Sequence, residues 1–170
     1  GTQTNMNANE VISNYAIRSL KGKIGSKHPV HPNDHVNLSQ SSNDTFPTVM
    51  HIASNELLEK KLLKSLDGII KELKNKCQRF HNIIKIGRTH AQDATPITLG
   101  QEFSGYLEQI KNNKLRLLNA KKELYFLAQG GTAVGTGLNA PKNFDKVFCE
   151  YISKLTKTKY LPAPNKFESI

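Results

Sequence analysis

Apolar residues recur at helical spacing in four stretches of the chain. Val11, Ile12, Tyr15, Ala16 and Leu20 lie three or four apart and Gly22 follows as a stop signal, which predicts a first helix over about Asn7 to Leu20. From Lys21 to Ser42 the pattern vanishes. Gly22, Gly25, Pro29 and Pro32 stand there among polar residues, and a stretch of roughly 20 residues is longer than a connector needs. Asn43 or Asp44 then reads as an N-cap, with Pro47 tolerated in the first turn. Val49, Ile52, Ala53, Leu57, Leu62, Leu66, Ile69, Leu73, Cys77 and Phe80 continue a single stripe, as in a bundle helix. A third helix opens with the capping box Thr98-Leu99-Gly100-Gln101 and keeps its stripe through Phe103, Tyr106, Ile110, Leu117, Leu124 and Leu127 to about Ala128. Phe144, Val147, Phe148, Tyr151, Ile152 and Leu155 predict a shorter fourth, from about Asn143 to Lys157. Only Asn82 to Lys85, continued by Ile86 to Thr89, reads as a short strand.

The expected fold is therefore all-α, an elongated bundle of long helices. At about 1.5 Å per residue the two long helices each exceed ~40 Å, and they cannot bury their stripes against one another alone. Further helices or further chains must complete the bundle. No internal repeat and no low-complexity segment interrupts the pattern.

Composition narrows the picture. With 170 residues, 37% of them apolar, the chain can bury a sizeable core as one domain. Cys77 and Cys149 both sit inside helical patterns, which excludes a secreted disulfide scaffold. Even the apolar run through Tyr125 to Ala128 falls far short of the ~20 residues a membrane span requires. Gly1 to Met6 has neither a charged nor an apolar leader region, so no secretory signal is expected there. The absence of Met at position 1 and the abrupt end at Ile170 lead to the expectation that this is a piece of a longer chain.

A net charge of +10 raises the question of nucleic acid. Only Arg18, Arg79, Arg88 and Arg116 are arginines, whereas base readout and bidentate phosphate contacts favour arginine. The lysines, such as Lys60, Lys61, Lys64, Lys71 and Lys74, alternate with apolar residues at helical spacing and read as solvated faces. No nucleic-acid partner is expected; a weak attraction for small dianions is.

Candidate chemistry falls in four polar segments read as loops: Gly1 to Asn7, His31 to Asp44, Gly87 to Thr95 and Gly130 to Asn139. Ser41, Ser42 and Asn43 stand at a helix N-terminus, where unpaired N–H groups and the positive dipole end suit a carboxylate or phosphate. The same residue types are also plain capping residues. His90, beside Thr89 and near Arg88 and Asp93, reads either as a general acid or base or as a surface histidine. His31, Asp34 and His35 share a loop, but Pro32 separates them and no Cys or Glu completes a set, so no metal is expected. Gly130 to Gly137 lacks the Lys-Ser/Thr ending of a phosphate loop and follows a helix, so its glycines are read as allowing close backbone approach.

Taken in order, His31-Pro32-Asn33-Asp34-His35-Val36-Asn37, Ser39-Gln40-Ser41-Ser42-Asn43-Asp44 and Lys85-Ile86-Gly87-Arg88-Thr89-His90 closely resemble the class II fumarases (fumarate hydratases) of the fumarase/aspartase superfamily. Gly1 to Asn7, Thr98 to Phe103, Gly130 to Asn139 and Ala163-Pro164-Asn165-Lys166-Phe167-Glu168 match as well. The resemblance implies the central helical (lyase) domain of that fold over residues 1–170. The N-terminal domain, a catalytic serine loop and the C-terminal domain would then lie outside it. It further implies reversible addition of water to fumarate giving L-malate, with no cofactor and no metal, by a homotetramer whose sites draw on three chains. His90 takes the acid/base position. Thr2, Ser41, Ser42, Asn43 and Thr89 take those of donors to the substrate carboxylates, and His31, Asn33 and Asp34 those of a second dicarboxylate site. The location implied is cytoplasmic or the mitochondrial matrix, with no membrane partner.

Two other readings stand beside this one. Aspartate ammonia-lyase works on the same skeleton but carries glutamine at the place of His90 and Ser-Thr at the place of Ser41-Ser42, so both positions favour water. The other is an inactive helical assembly module. In the family the base is ascribed to the serine of the absent loop, so these residues alone are expected to be inactive. His28-Pro29 and Leu38 depart from the family pattern, and Ala91 replaces a usual leucine, a packing loss wherever its pocket is not refilled.

Overall fold

The computed structural model describes residues 1–170. Five α-helices carry most of them: α1 (Thr2–Ser19), α2 (Ser42–Leu57), α3 (Leu63–Arg79), α4 (Leu99–Ala120) and α5 (Phe144–Thr156). The strands β1 (Ile84–Thr89) and β2 (Gln92–Thr98) form an antiparallel hairpin, and β3 (Phe126–Leu127) and β4 (Leu161–Pro162) a short parallel pair. The helical class expected from periodicity holds, with these small strands added. The chain divides into two compact units: Gly1–Ser54 with Glu123–Ile170, and Asn55–Lys122.

The first unit has a small apolar core and an unusually polar interior. Leu127, Cys149 and Tyr160 are buried together, with Ile52, Tyr125, Phe148 and Ile152 packed around them. The rings of Tyr125 and Tyr160 meet edge to face at 6.3 Å. Lys166 reaches into this region, donating from Nζ to the carbonyls of Leu127 and Gln129 at 2.9 Å each. Burial pushes its ammonium below the usual lysine range, an effect opposed by the Asp145 carboxylate 3.8 Å away.

Helix α1 inverts the usual arrangement. Its buried face is Asn5, Asn9, Ser13 and Ile17, whereas Val11, Ile12, Tyr15 and Leu20 of the apolar stripe are exposed. The polar face is tolerated because its groups are bonded: Asn9 donates to Asn37 Oδ1 at 2.9 Å, Asn5 to Ser42 Oγ at 3.0 Å, and Ser13 to the Val30 carbonyl at 2.7 Å. The helix also starts at Thr2, not near Asn7, so the segment Gly1 to Asn7 is helix rather than loop. Its polar composition reflects the partners it buries against.

In the second unit α3 packs on α4, and the Phe80 ring meets Phe103 edge to face at 5.4 Å. The predicted capping box is present: Thr98 Oγ1 accepts from the Gln101 N–H at 3.1 Å, and Gln101 Oε1 accepts from the Thr98 N–H at 2.8 Å. The stripe from Val49 to Phe80 is interrupted by a π-helical turn at Leu58–Leu62. The third helix stops at Ala120, followed by a 3-10 turn at Lys121–Tyr125 and by β3, short of the expected Ala128. The strand read near Asn82 to Thr89 is β1; its partner β2 went unread because Gln92 to Thr98 has no alternation and contains Pro96. Both strands of a two-stranded sheet are edges, where proline is tolerated at a position whose nitrogen faces away from the partner, and Pro96 stands beside the register shift at Ile86.

The start of α4 lies hard against the end of α3. A Cβ on Gly100 would stand 2.6 Å from the Cys77 carbonyl oxygen and 2.9 Å from the His81 Cα, whereas one on Gly68 would meet nothing within 4 Å. Gly100→Ala is therefore expected to destabilise by about 1–3 kcal/mol, since backbone must move to admit the methyl. Gly68→Ala should instead stabilise by up to ~1 kcal/mol through helix propensity. Urea denaturation midpoints of the two variants check the opposite signs.

Candidate functional site

The N-terminus of α2 is organised by one carboxylate. Asp44, fully buried, accepts from the Ser41 N–H at 2.9 Å, the Gly130 N–H at 3.0 Å, the Thr132 N–H at 2.8 Å and the Thr45 hydroxyl at 3.4 Å. Ser41 Oγ in turn accepts from the Asn43 N–H at 3.1 Å. This is a reciprocal cap one turn deep: Ser41 flanks the helix, and Asp44, inside it, reaches back. Neither Asn43 nor Asp44 is the N-cap, since the helix begins at Ser42. Pro47 consequently falls in the second turn and has no N–H to offer the Asn43 carbonyl.

The same carboxylate ties down the glycine-rich segment. Its bonds to Gly130 and Thr132 are joined by one from Asn43 Nδ2 to the Ala133 carbonyl at 2.8 Å, and by one from the Gln129 N–H to Thr48 Oγ1 at 2.9 Å. The glycines are used for close approach, as read from the sequence. A Cβ on Gly130, whose φ is +93°, would lie 2.7 Å from the Asp145 Cβ.

These bonds orient the hydroxyls. Ser42 Oγ accepts from Asn5 and Ser41 Oγ from a backbone N–H, so each hydroxyl keeps its own proton for an outside acceptor. Thr2, Ser42 and Asn43 border one cavity of about 460 Å3, together with Gly1, Phe46 and Pro47. Ser41 instead lines a second cavity of about 580 Å3, with Asn33, Asp34 and the Thr132–Ala133–Val134 stretch. The fold thus brings Thr2, Ser42 and Asn43 together and sets Ser41 with Asn33 and Asp34.

His31 caps a π-helical turn, Pro32–Val36, that the sequence pattern did not reveal because five residues carry no period. Its Nδ1 accepts from the N–H groups of Asn33 at 3.3 Å and Asp34 at 3.2 Å, and the His31 N–H donates to His35 Nδ1 at 2.7 Å. With Nδ1 accepting, the ring proton sits on Nε2. The Asp34 carboxylate, 3.2 Å from the same Nδ1, then faces a lone pair and forms no ion pair in this state.

Thr89 and His90 belong to the second unit, where they end β1 and begin the turn into β2. Thr89 pairs with Gln92, and the two residues between them, His90 and Ala91, have φ of +51° and +60°. A two-residue hairpin turn with both angles positive matches the strand twist, and here it is built without glycine or asparagine. Arg88 and Asp93 pair at 3.2 Å behind it. His90 is exposed and its ring makes no hydrogen bond. Ala91 is exposed as well, so within its unit the expected packing loss does not arise.

The residues that position this chemistry were harder to read than those that display it. Asn5 and Asn9, both buried, meet on the half-buried Asn37 side chain, and Lys166 pins the carbonyls of Leu127 and Gln129. The one available signal was the run of asparagines at helical spacing, Asn5 and Asn9, on what looked like a polar lead-in.

The sequence profile described as lyase matches residues 1–170. Mitochondrial fumarate hydratase of Saccharomyces cerevisiae is 60% identical over 170 residues, which is 100% of this chain and 35% of that protein. Class II fumarate hydratase of Brucella suis is 58% identical over 170 residues, 100% of this chain and 37% of its own. The crystal structure of recombinant class II fumarase from Schistosoma mansoni matches with a TM-score of 0.93 at 45% identity, covering 100% of this chain and 39% of that one. The chain thus spans about a third of the length of the curated relatives it matches.

Replacing Asp44 by Asn keeps the shape but turns one acceptor oxygen into a donor facing N–H groups. The expected loss is about 2–3 kcal/mol of stability, because buried donors are left unpaired. Chemical denaturation of Asp44→Asn, with Asp34→Asn as the exposed comparison expected near zero, measures it.

Proposed function

This chain belongs to the lyase family alongside class II fumarases, and from that membership we propose that it forms the central helical part of an enzyme adding water reversibly to fumarate, giving L-malate. The observation that carries the reading is the cavity bordered by Thr2, Ser42 and Asn43 at the start of α2, with hydroxyl protons left unspent. A dicarboxylate needs such donors.

The chemistry explains their value. Taking the C3 proton from malate sends its electron pair toward the neighbouring carboxylate, which gains a second negative charge. The C2–O bond then breaks and the hydroxyl leaves as water with a proton from an acid. Donors held in place stabilise that extra charge more than the ground state and need not reorganise as it forms. We assign Thr2, Ser41, Ser42, Asn43 and Thr89 to the substrate carboxylates and His90 to proton transfer, since its exposed ring is not committed to any hydrogen bond within the chain. The base and the rest of the clamp are assigned to a serine loop outside these residues, as are the N- and C-terminal domains. His31, Asn33 and Asp34 are assigned to a second dicarboxylate site, with the Nε2 proton of His31 as its donor.

Assembly follows from the exposed stripes. Val11, Ile12 and Tyr15 of α1, Leu57 of α2 and Leu115 of α4 are exposed, more apolar surface than a monomer leaves in water. We assign these faces to packing between copies in a homotetramer. The location we propose, cytoplasm or mitochondrial matrix, rests on the mitochondrial naming of the yeast relatives.

Three measurements test the reading. In the full-length enzyme His90→Asn should lower kcat by about a hundredfold or more, while His31→Asn leaves it close to normal, followed by the absorbance of fumarate formed from L-malate. Equal losses would merge the two sites, and release of ammonia from aspartate would turn the assignment to the ammonia-lyase. The 170-residue chain assayed alone should give no turnover; robust turnover would overturn the missing-loop assignment. Light scattering on a size-exclusion column should find the chain associated, and a compact monomer at micromolar concentration would remove the interchain role of the stripes.

A further inference from the structure

We propose that the cavity between α5 and β4 is a binding site for an amphipathic monoanion of the fatty-acid type, separate from the dicarboxylate chemistry. The cavity, about 530 Å3, lies wholly within the first unit. That size is in the range of small-molecule pockets, which are apolar with a few placed polar groups.

Its floor is apolar. Cys149 and Tyr160, each 2% exposed, close the bottom, and Leu161 and Pro162 form one wall. Ser153 also lines it, but that hydroxyl is spent, donating to the Cys149 carbonyl at 2.6 Å and accepting from the Tyr160 N–H at 2.9 Å. Desolvation pushes the Cys149 thiol up to about 11, so it stays neutral and unreactive near pH 7. Occupancy is therefore reversible, driven by burial of an apolar body.

The rim is cationic and unneutralised. Lys146, Glu150 and Lys154 are four apart along one ridge of α5, and Lys159 faces them from the return segment. Lys60, Lys85, Lys111, Lys114, Lys121 and Lys166 each have a carboxylate partner. Lys146, Lys154 and Lys159 have none. Three ammonium groups against one carboxylate leave the mouth positive above an uncharged floor. One carboxylate on an apolar chain complements both; a four-carbon dianion would gain nothing from the floor.

Calorimetric titration of the full chain with decanoate, below its micellar concentration, tests this. Saturable one-to-one binding is expected, weakened about tenfold in Lys154→Ala/Lys159→Ala. Glu150→Gln should tighten it by a few fold, and Leu161→Glu, which places a carboxylate in the wall, should abolish it. Fumarate and decyltrimethylammonium should give no saturable heat at this site. Absence of saturable decanoate binding, equal binding of the cationic analogue, or an affinity unchanged in the lysine variant would each overturn the proposal.

Discussion

A buried carboxylate has to be surrounded by donors, and the first unit is arranged to meet that demand at Asp44. Its oxygens collect N–H groups from both sides of a long sequence gap, Ser41 on one side and Gly130 and Thr132 on the other. Each bond also has a local purpose. The Ser41 bond closes the first turn of α2, and the bonds to Gly130 and Thr132 hold a segment whose own turns, such as Gly135 N–H to the Gly131 carbonyl, leave those two N–H groups to an outside acceptor. Without the carboxylate the Thr132 N–H would be buried and unpaired, an expense of about 1–3 kcal/mol, with smaller losses at the half-buried Ser41 and Gly130. Lys166 does the complementary work, supplying protons to the carbonyls of Leu127 and Gln129 next door. One charged acceptor and one charged donor thereby add to the segment's own turn bonds after β3.

The polar face of α1 follows from the same constraint. The connector after Val30 presents backbone and amide groups, not an apolar surface, so the helix that covers it must offer donors. Asn5 and Asn9 do so through Asn37, and Ser13 through the Val30 carbonyl. The apolar side of α1 is left outward as a result. In the second unit the balance is ordinary: α3 and α4 meet through apolar and aromatic side chains, and ion pairs such as Lys114 with Asp67 at 2.5 Å lie at the margin. Exposed pairs of that kind contribute little, at most about 1 kcal/mol. Packing at Gly100 decides more.

Helices with an apolar period were legible. The starts of α4 and α5 follow their N-terminal signals to within a residue or two, because a capping box such as Thr98-Gln101 is local and needs no tertiary partner. Features fixed by contacts distant in sequence were not. The first turn of α1 was lost because Asn5 has meaning only beside Asn37 and Ser42. The hairpin partner β2 is hidden on two counts: Gln92 to Thr98 has no alternation and contains Pro96, and its turn, His90-Ala91, holds two positive φ angles without glycine or asparagine. The candidate site residues stand out in the sequence only as polar residue types, which the structure places at helix and strand ends. Their separation into two cavities was not legible, since neighbours such as Ser41 and Ser42 point apart by the geometry of a helix start.

That separation bears on how two adjacent serines can both offer protons while lining different cavities. A hydroxyl has one proton to give and can accept from others. Ser42 accepts from Asn5 Nδ2 and Ser41 from the Asn43 N–H, so each is oriented by a bond that costs it no donor. The orienting residues themselves are anchored: Asn5 is buried on α1, and Asn43, whose backbone N–H holds Ser41, donates from its side chain to the Ala133 carbonyl. Donors fixed in this way lose little entropy when an anion arrives. They also cannot follow the charge if it moves, so the arrangement favours whichever state of the substrate places its charge where the protons already point. For the proposed hydration that state is the carbanion with its doubly charged carboxylate, and the rigidity that Asp44 imparts to the start of α2 is then a kinetic asset as well as a structural one.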